Sequence, residues 1–429
     1  MMNNKSLFIA ALVVGLFLAA LFSRDGEIIL LSMPFFTYMM FGILKFPKKV
    51  DLIVARTLKR ASTAPLEPIE MSVLVENADI SQAILSLQDP LFPSMRLLEG
   101  RLKQPFLLAP GDQIVLKYAF SASRGIYSWK SVRIVASDPF SLFELPLDIP
   151  ASAKILIHPE LMRLGHIPIR PRFTRHIPGS IPARLPGSGT NFFGVREYRA
   201  GDPLRRIHWR MTARYPHKLF TKEFEQDEVA DIGLILDTRD LNGDHPGGES
   251  LFNHAVRATA SLAEVFLREG NRVGLLIYGE RMVPLFPGSG SRQLHRIYNC
   301  LAQASTRRSI PLEYLDYFSS RLFPSKSLIF MISSLGNRDL PAYQRLCAGG
   351  YQVILISPDP VEYAAKKMPA AQINALAFRA SKIERYIRLS QLVSMGVQVV
   401  DWPMDQSLNS IIHESFSNIY LSHRRYAGR

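Results

Sequence analysis

Two cysteines, Cys300 and Cys347, are all that the 429 residues contain. That excludes a disulfide framework and a cysteine-rich zinc site, and it suits a reducing compartment. Also missing are a G-x-x-x-x-G-K-[ST] phosphate loop, an H-E-x-x-H pair, a C-x-x-C pair and a G-x-S-x-G elbow. The chain therefore carries no motor, zinc-protease, thiol-redox or serine-hydrolase signature. The ten histidines are dispersed, and His413-Glu414 falls in a helical pattern that reads as a solvated face. Acidic residues are scarcest between Arg170 and Lys222, where twelve Lys/Arg meet only Glu197 and Asp202. With a formal net charge of +14, the chain favours anionic partners: acidic protein faces, lipid headgroups or polyanions.

What is present begins with two apolar runs. Residues 6–23 hold eighteen uncharged residues, and residues 28–44 hold seventeen more after a short polar link at Arg24. Each run just crosses a hydrocarbon core of ~30 Å at ~1.5 Å per residue. A cleaved signal peptide is the competing reading, but no A-x-A-like site precedes Arg24 and a second apolar run follows at once. The expectation is a transmembrane hairpin within residues 1–50. Lys5 before the first run, and Lys45, Lys48 and Lys49 after the second, place both termini in the cytoplasm. In a Gram-negative envelope that membrane is the inner one.

Beyond Leu66 the apolar period becomes two, at Ile69, Met71, Val73 and Val75 and again at Ile114, Leu116, Tyr118 and Phe120. With turn signals at Pro110-Gly111-Asp112 and Arg124-Gly125, residues 60–160 read as a small antiparallel β-sandwich. Its last strand pair turns at Asp138-Pro139, with Phe140, Leu142 and Phe143 expected under the sheet. Residues 165–228 form a basic connector, the first part of it, to Thr190, rich in Pro, Gly, Ser and Arg and read as a linker or surface loop. Gly187-Ser188-Gly189-Thr190 lacks the lysine of a phosphate loop and reads as part of that loop.

Asp202-Pro203 then reads as the start of a helix running to about Arg214. Leu204, Ile207 and Met211 would form one apolar stripe, with Arg206 and Arg210 presented opposite and Trp209 beside them. Nearby acids such as Glu223 could instead draw the arginines into an internal ion-pair network.

The run "GSGTNFFGVREYRAGDPLRRIHWRMTARYPHKLFTKEFEQDE", followed by "IGLILD", resembles the signature of the bacterial family called domain of unknown function 58. Gly189, Phe192, Gly194, Arg196, Tyr198, Gly201, Asp202, Arg206, Ile207, Trp209, Ala213 and Arg214 occupy its positions, and Arg210 lies among them. The "RGIY" at Arg124 and "SDPFSLFEL" at Ser137 also resemble segments of that family. The resemblance implies a von Willebrand factor A-like domain after the signature, association with MoxR-type AAA+ ATPases, and no established reaction.

Residues 229–429 read independently as α/β, with strands near Ile232–Asp237, Arg272–Tyr278, Ser327–Ser333, Tyr351–Ser357 and Val397–Asp401 separated by helices, hence a doubly wound, Rossmann-like parallel sheet. Metal-binding members of the von Willebrand factor A-like fold carry D-x-S-x-S at the first strand end. Here Arg239 and Leu241 replace both serines, and Ser334 stands where a later carboxylate is expected. The site at Asp237 is degenerate, Arg239 is available to pair with Asp237, and no metal or other cofactor is expected.

The function expected is a non-enzymatic scaffold or adaptor anchored in the membrane, with a MoxR-type AAA+ ATPase or its client protein as partner, in contact with membrane lipids. The alternative is polyanion binding, to nucleic acid or anionic lipid, through residues 170–222; the fixed order of Gly, Asp, Trp and Ile in the signature, which loose phosphate binding would not require, weighs against it, and nucleic acid is not expected as a partner. A divalent-metal-dependent enzyme is a third, weaker reading.

Overall fold

The computed structural model describes residues 4–24, 26–46, 50–59, 62–79, 83–169, 181–215, 217–239, 250–279, 282–306, 312, 315–367 and 375–416. It divides into two compact units, Met1–His158 and Pro159–Arg429, each described by itself.

The first unit opens with helices α1 (Asn4–Ser23) and α2 (Gly26–Lys45). Both are apolar and long enough to cross a membrane. Their large side chains point outward, among them Phe8, Phe17, Phe22, Leu31 and Leu44. Such helices, apolar all round, have the composition and length of membrane spans. Arg24, at φ 55°, makes the tight reversal between them.

Among the described residues nine strands follow: β1 (Leu52–Leu58), β2 (Ser62–Thr63), β3 (Ile69–Asn77), β4 (Ala83–Gln88), β5 (Met95–Glu99), β6 (Lys103–Leu108), β7 (Gln113–Ala122), β8 (Gly125–Ser137) and β9 (Glu144–Ile157). They form two sheets, ordered β1-β3-β7-β5 and β2-β9-β8-β4-β6. All pairings are antiparallel except the short β2–β9 one. On β3, Ile69, Met71, Val73 and Val75 are buried in alternation, as the period of a strand requires. They share one apolar core with Leu87, Ile134 and Ile155 of the other sheet. Inside that core Arg56 grips Asp89 with both carboxylate oxygens, at 2.6 and 2.7 Å, and Tyr118 donates to Asp89 Oδ2 at 2.5 Å.

The loop between β8 and β9 corrects the sequence expectation. Asp138 is fully buried and accepts from the backbone N–H of Phe140, Leu142 and Phe143 at 2.9, 2.7 and 2.7 Å. The apolar side chains of this turn meet α2 and the residue after it. Phe140 meets Tyr38 and Phe41 of α2, with ring centroids 4.3 and 5.7 Å apart, and Phe143 meets Phe46 at 6.1 Å. Gly42 lets the loop approach, because a Cβ there would stand 3.2 Å from Leu142 and 3.3 Å from Asp138.

In the second unit, residues 159–169 are irregular and lie on the core, with Ile167 buried and Met162 N–H donating to Ser261 Oγ at 2.7 Å. Residues 170–180 lie outside the described residues. The expected loop does not extend to Thr190: β10 (Ile181–Glu197) pairs antiparallel with β11 (Phe220–Glu228). The prolines and glycines are accommodated by register shifts at Pro182/Pro186, Gly187/Phe192 and Phe192/Gly194 of a two-stranded ribbon.

The remaining strands are β12 (Asp231–Asp237), β13 (Arg272–Tyr278), β14 (Val283–Gly288), β15 (Leu328–Ile332), β16 (Gln352–Pro358) and β17 (Gln398–Trp402). They form one sheet, ordered β14-β13-β12-β15-β16-β17, parallel but for the edge strand β14. Every residue of β12 is buried: Leu234 and Leu236 pack on one face with Val256 and Phe266, Ile235 on the other with Leu276 and Met331. Both faces are thus covered, as a largely parallel sheet requires. From β12 the chain first adds β13 on one side and later β15 on the other. The carboxyl ends of β12 and β15 therefore flank the point where the winding reverses, the usual place for a ligand crevice.

Candidate functional site

The signature does not fold into one helix. Leu204–Arg206 makes a single 3-10 turn and α3 covers only Trp209–Thr212. Between them Ile207 takes φ −59° and ψ 134° and bridges to Thr221, while His208 N–H donates to Phe220 O at 2.8 Å. These bonds to β11 hold the backbone extended at the point where a continuous helix would need it coiled. Asp202 caps nothing; Arg196 binds it in a fork, Nη1 to Oδ2 and Nη2 to Oδ1, both at 2.8 Å. His208 caps α3 instead, Nδ1 accepting from Met211 N–H at 3.0 Å.

The expected stripe is consequently split. Ile207 is 5% exposed, Met211 is half-buried and Leu204 is 69% exposed. Arg206 and Arg210 do not stand together: the Arg206 guanidinium lies 5.2 Å from the Phe224 ring and Arg210 is open to solvent.

Arg196 organises this hairpin. Beyond its fork to Asp202, its Nε reaches Glu223 Oε1 at 2.9 Å. Tyr198 Oη donates to Asp202 O at 3.2 Å, and Arg199 N–H donates to Asp202 Oδ2 at 2.9 Å. The hydrogen bonds from Arg196, and then from the Arg199 backbone, hold the Asp202 carboxyl below its ordinary range. Gly201, at φ 105°, supplies the left-handed turn before Asp202, and Gly194 stands at a register shift. Lys218 pairs with Glu197.

Other signature residues are left facing outward. Trp209 is 68% exposed, and Arg205, Arg210 and Arg214 are exposed with no ion pair among the described residues. Phe192, Leu204, Tyr215 and Leu219 are exposed too. The hairpin thus combines a pinned interior with an outward set of guanidinium, indole and apolar groups.

The second candidate is the strand-end site. Asp237 closes β12, and Arg239 folds back on it, Nε to Oδ1 at 2.9 Å and Nη2 to Oδ2 at 2.7 Å. The same guanidinium grips Asp339, Nη1 to Oδ1 at 2.8 Å and Nη2 to Oδ2 at 2.7 Å. Ser333 Oγ donates to Asp237 Oδ2 at 2.7 Å, and Gly336 N–H donates to Asp339 Oδ2 at 2.6 Å. The three charged side chains are 8%, 2% and 3% exposed. Burial alone would lower the Arg239 pKa, but the bonds to Asp339 and Asp237 carry it above its ordinary value. Burial first, then Asp339 and Asp237, hold the hydroxyl of Tyr343 well above the usual tyrosine range.

Sequence reading missed Asp339 and Ser333. It looked for the second carboxylate at Ser334, whose carbonyl instead accepts from Arg385 Nη1 at 3.4 Å. Asp339 comes from the start of the helix Leu340–Ala348, and the readable signal was an Asp beside Leu340-Pro341 at a helix start. Leu241 and Asp240 lie outside the described residues. As the residues stand, a divalent cation does not fit between Asp237 and Asp339, because a guanidinium fills that place and saturates both carboxylates. Among the described residues no group of three or more His, Cys, Asp or Glu is gathered to hold a metal.

A further charge cluster lies beyond β16. Lys382 Nζ donates to Asp359 Oδ2 and Glu362 Oε1, both at 2.6 Å, and Arg385 Nη2 donates to Asp401 Oδ1 at 2.5 Å. These acids are likewise matched by cations of the chain itself.

Residues 194–371 match a family model described as "Protein of unknown function DUF58". Over those residues the chain is similar to the DUF58 family. The DUF58 segment holds the Arg196–Asp202 fork, Trp209 and the Asp237–Arg239–Asp339 bridge. No curated protein matches the chain. Among solved structures, a FixG-related protein from Vibrio parahaemolyticus is 11% identical with a TM-score of 0.18, over 25% of this chain and 95% of that one. A CARDB domain from Pyrococcus furiosus gives 14% and 0.18 over 26% and 91%. The cupredoxin domain of amoB from Nitrosocaldus yellowstonii gives 8% and 0.20 over 30% and 99%. Likenesses this slight carry nothing over to the DUF58 segment.

Proposed function

We propose that this chain is a membrane-anchored, non-enzymatic scaffold or adaptor, its two N-terminal helices spanning the cell membrane with both termini cytoplasmic. In this reading the two antiparallel sheets of the first unit are a β-sandwich and the α/β sheet is a von Willebrand factor A-like domain. The partner is a MoxR-type AAA+ ATPase or its client, with the family resemblance supplying that class of partner.

The observation that carries the reading is the outward set on the β10–β11 hairpin: Trp209 with Arg205, Arg210 and Arg214, held on a base that Arg196, Asp202 and Glu223 pin. Trp and Arg are the residue types that dominate binding energy at protein interfaces, and a pinned base lowers the ordering cost of binding. The charged residues at the strand ends are committed to one another, which supports a structural over a catalytic use of them.

Co-purification in mild detergent from the native membrane tests it. Wild type is expected to retain an AAA+ ATPase, and Trp209→Ala/Arg210→Glu to lose it with its thermal midpoint unchanged, since both side chains are exposed. Retention of the same partner by the folded double variant overturns this placement of the interface. The unpaired arginines favour polyanion binding as the second reading, which requires affinity that falls linearly with log salt in a plot of log K.

A further inference from the structure

Helices α1 and α2 and the 138–143 loop frame a cleft of about 470 Å3, lined by Lys5, Phe8, Ile9, Tyr38, Phe140 and Leu142. That volume is in the range of sites that take small organic ligands. The reversal at Arg24 makes the helices antiparallel, so Lys5 and Lys45 lie at the same end of the hairpin. Tyr38 lies seven residues before Lys45, or about 10 Å along the helix axis. The cleft therefore runs from an ammonium group at the helix ends to aromatic and aliphatic walls deeper in. Lys5 is exposed and has no ion pair among the described residues.

This graded chemistry selects an occupant. On the reading that the hairpin spans the membrane, on which the inference rests, the walls open to hydrocarbon while Lys5 sits at the level of the headgroups. A free anion would find one cation and five side chains with almost nothing to offer it. A peptide would bring backbone N–H and C=O groups that these walls cannot satisfy. An acyl chain meets the walls without penalty, and a phosphodiester meets the lysine. The loop contributes Phe140 and Leu142 only because Asp138 ties its backbone, which gives the SDPFSLF segment a role beyond turning the chain.

We propose that this cleft binds one anionic phospholipid, with its phosphate at Lys5 Nζ and an acyl chain against Phe8, Ile9, Tyr38 and Phe140. The test reconstitutes the full chain in nanodiscs of phosphatidylcholine with phosphatidylglycerol as the minor component. Lipids retained after delipidation are then weighed by native mass spectrometry. Wild type is expected to keep one phosphatidylglycerol in preference to phosphatidylcholine. Lys5→Gln is expected to reduce that preference about fivefold, and Ile9→Trp, which fills the cleft, to abolish retention. Equal retention of both lipids by wild type, an unchanged preference in Lys5→Gln, or a retained peptide in place of lipid overturns the proposal. Alkaline carbonate extraction separates the two readings. Protein released into the supernatant refutes the membrane-spanning hairpin itself; protein that stays in the pellet without lipid preference refutes the site alone.

Discussion

Arg239 joins two aspartates that stand about a hundred residues apart in sequence, and it does so in a nearly dry setting. A buried carboxylate without its partner is costly, and here removal of one side chain would strand two of them beside each other. Arg239→Ala is expected to destabilise the second unit by about 3–5 kcal/mol. Thermal denaturation of the detergent-solubilised chain checks this, and adding Asp339→Asn to Arg239→Ala should recover part of the loss. A variant as stable as wild type would show that the bridge contributes nothing net. At this scale little was legible beforehand. That Arg239 could turn to Asp237 follows from their being two residues apart, whereas Asp339 enters through a loop whose position only the folded sheet decides.

At the scale of elements, the loop between β8 and β9 depends on one glycine. Gly42→Leu would drive a side chain into those of Leu142, Asp138 and Phe143, and the Asp138 carboxylate is held in place by three backbone N–H groups. Overpacking of this kind costs roughly 1–3 kcal/mol. The expected result is easier proteolysis of the 138–143 loop, measured by limited digestion in detergent, with the apolar helices themselves unaffected; an unchanged digestion rate would count against the contact. What made elements readable was local pattern. The alternation of Ile69, Met71, Val73 and Val75 and the uninterrupted apolar run Ile232–Leu236 each fix a strand without knowledge of its neighbours. The misread helix from Asp202 to Arg214 failed because bonds to β11 outcompete local propensity at Ile207 and His208. Strand β10 was missed because its prolines and glycines, which signal a loop locally, are tolerated in a bulged two-stranded ribbon.

For the whole molecule the ion pairs predict a response to acid. Burial pushes the Asp359 carboxyl up, yet hydrogen bonding from Lys382 and the charge of Arg385 outweigh it and hold the group below its ordinary value. Asp202 is shifted the same way. A carboxyl whose folded pKa is depressed contributes stability at pH above its unfolded value, and that contribution is lost as pH falls through the folded one. The apparent thermal midpoint of the solubilised chain should therefore be level near neutrality and decline below about pH 4–5. In Lys382→Met the midpoint near neutrality should be lower and its decline in acid shallower, because Asp359, held down with one cation fewer, has less stabilisation left to lose on protonation. A midpoint that does not respond to acid would contradict this.

The bridge at the end of β12 also bears on how such a protein could be controlled. A cation held by coordination comes and goes with its concentration in the surrounding fluid, and a chelator can strip it. A guanidinium on Arg239 cannot be diluted, exchanged or chelated, and its charge does not change across the pH range of a living cell. The carboxyl end of β12 is thus uncoupled from the supply of ions. Opening it means breaking four charge-assisted hydrogen bonds at once, from Arg239 to its two aspartates.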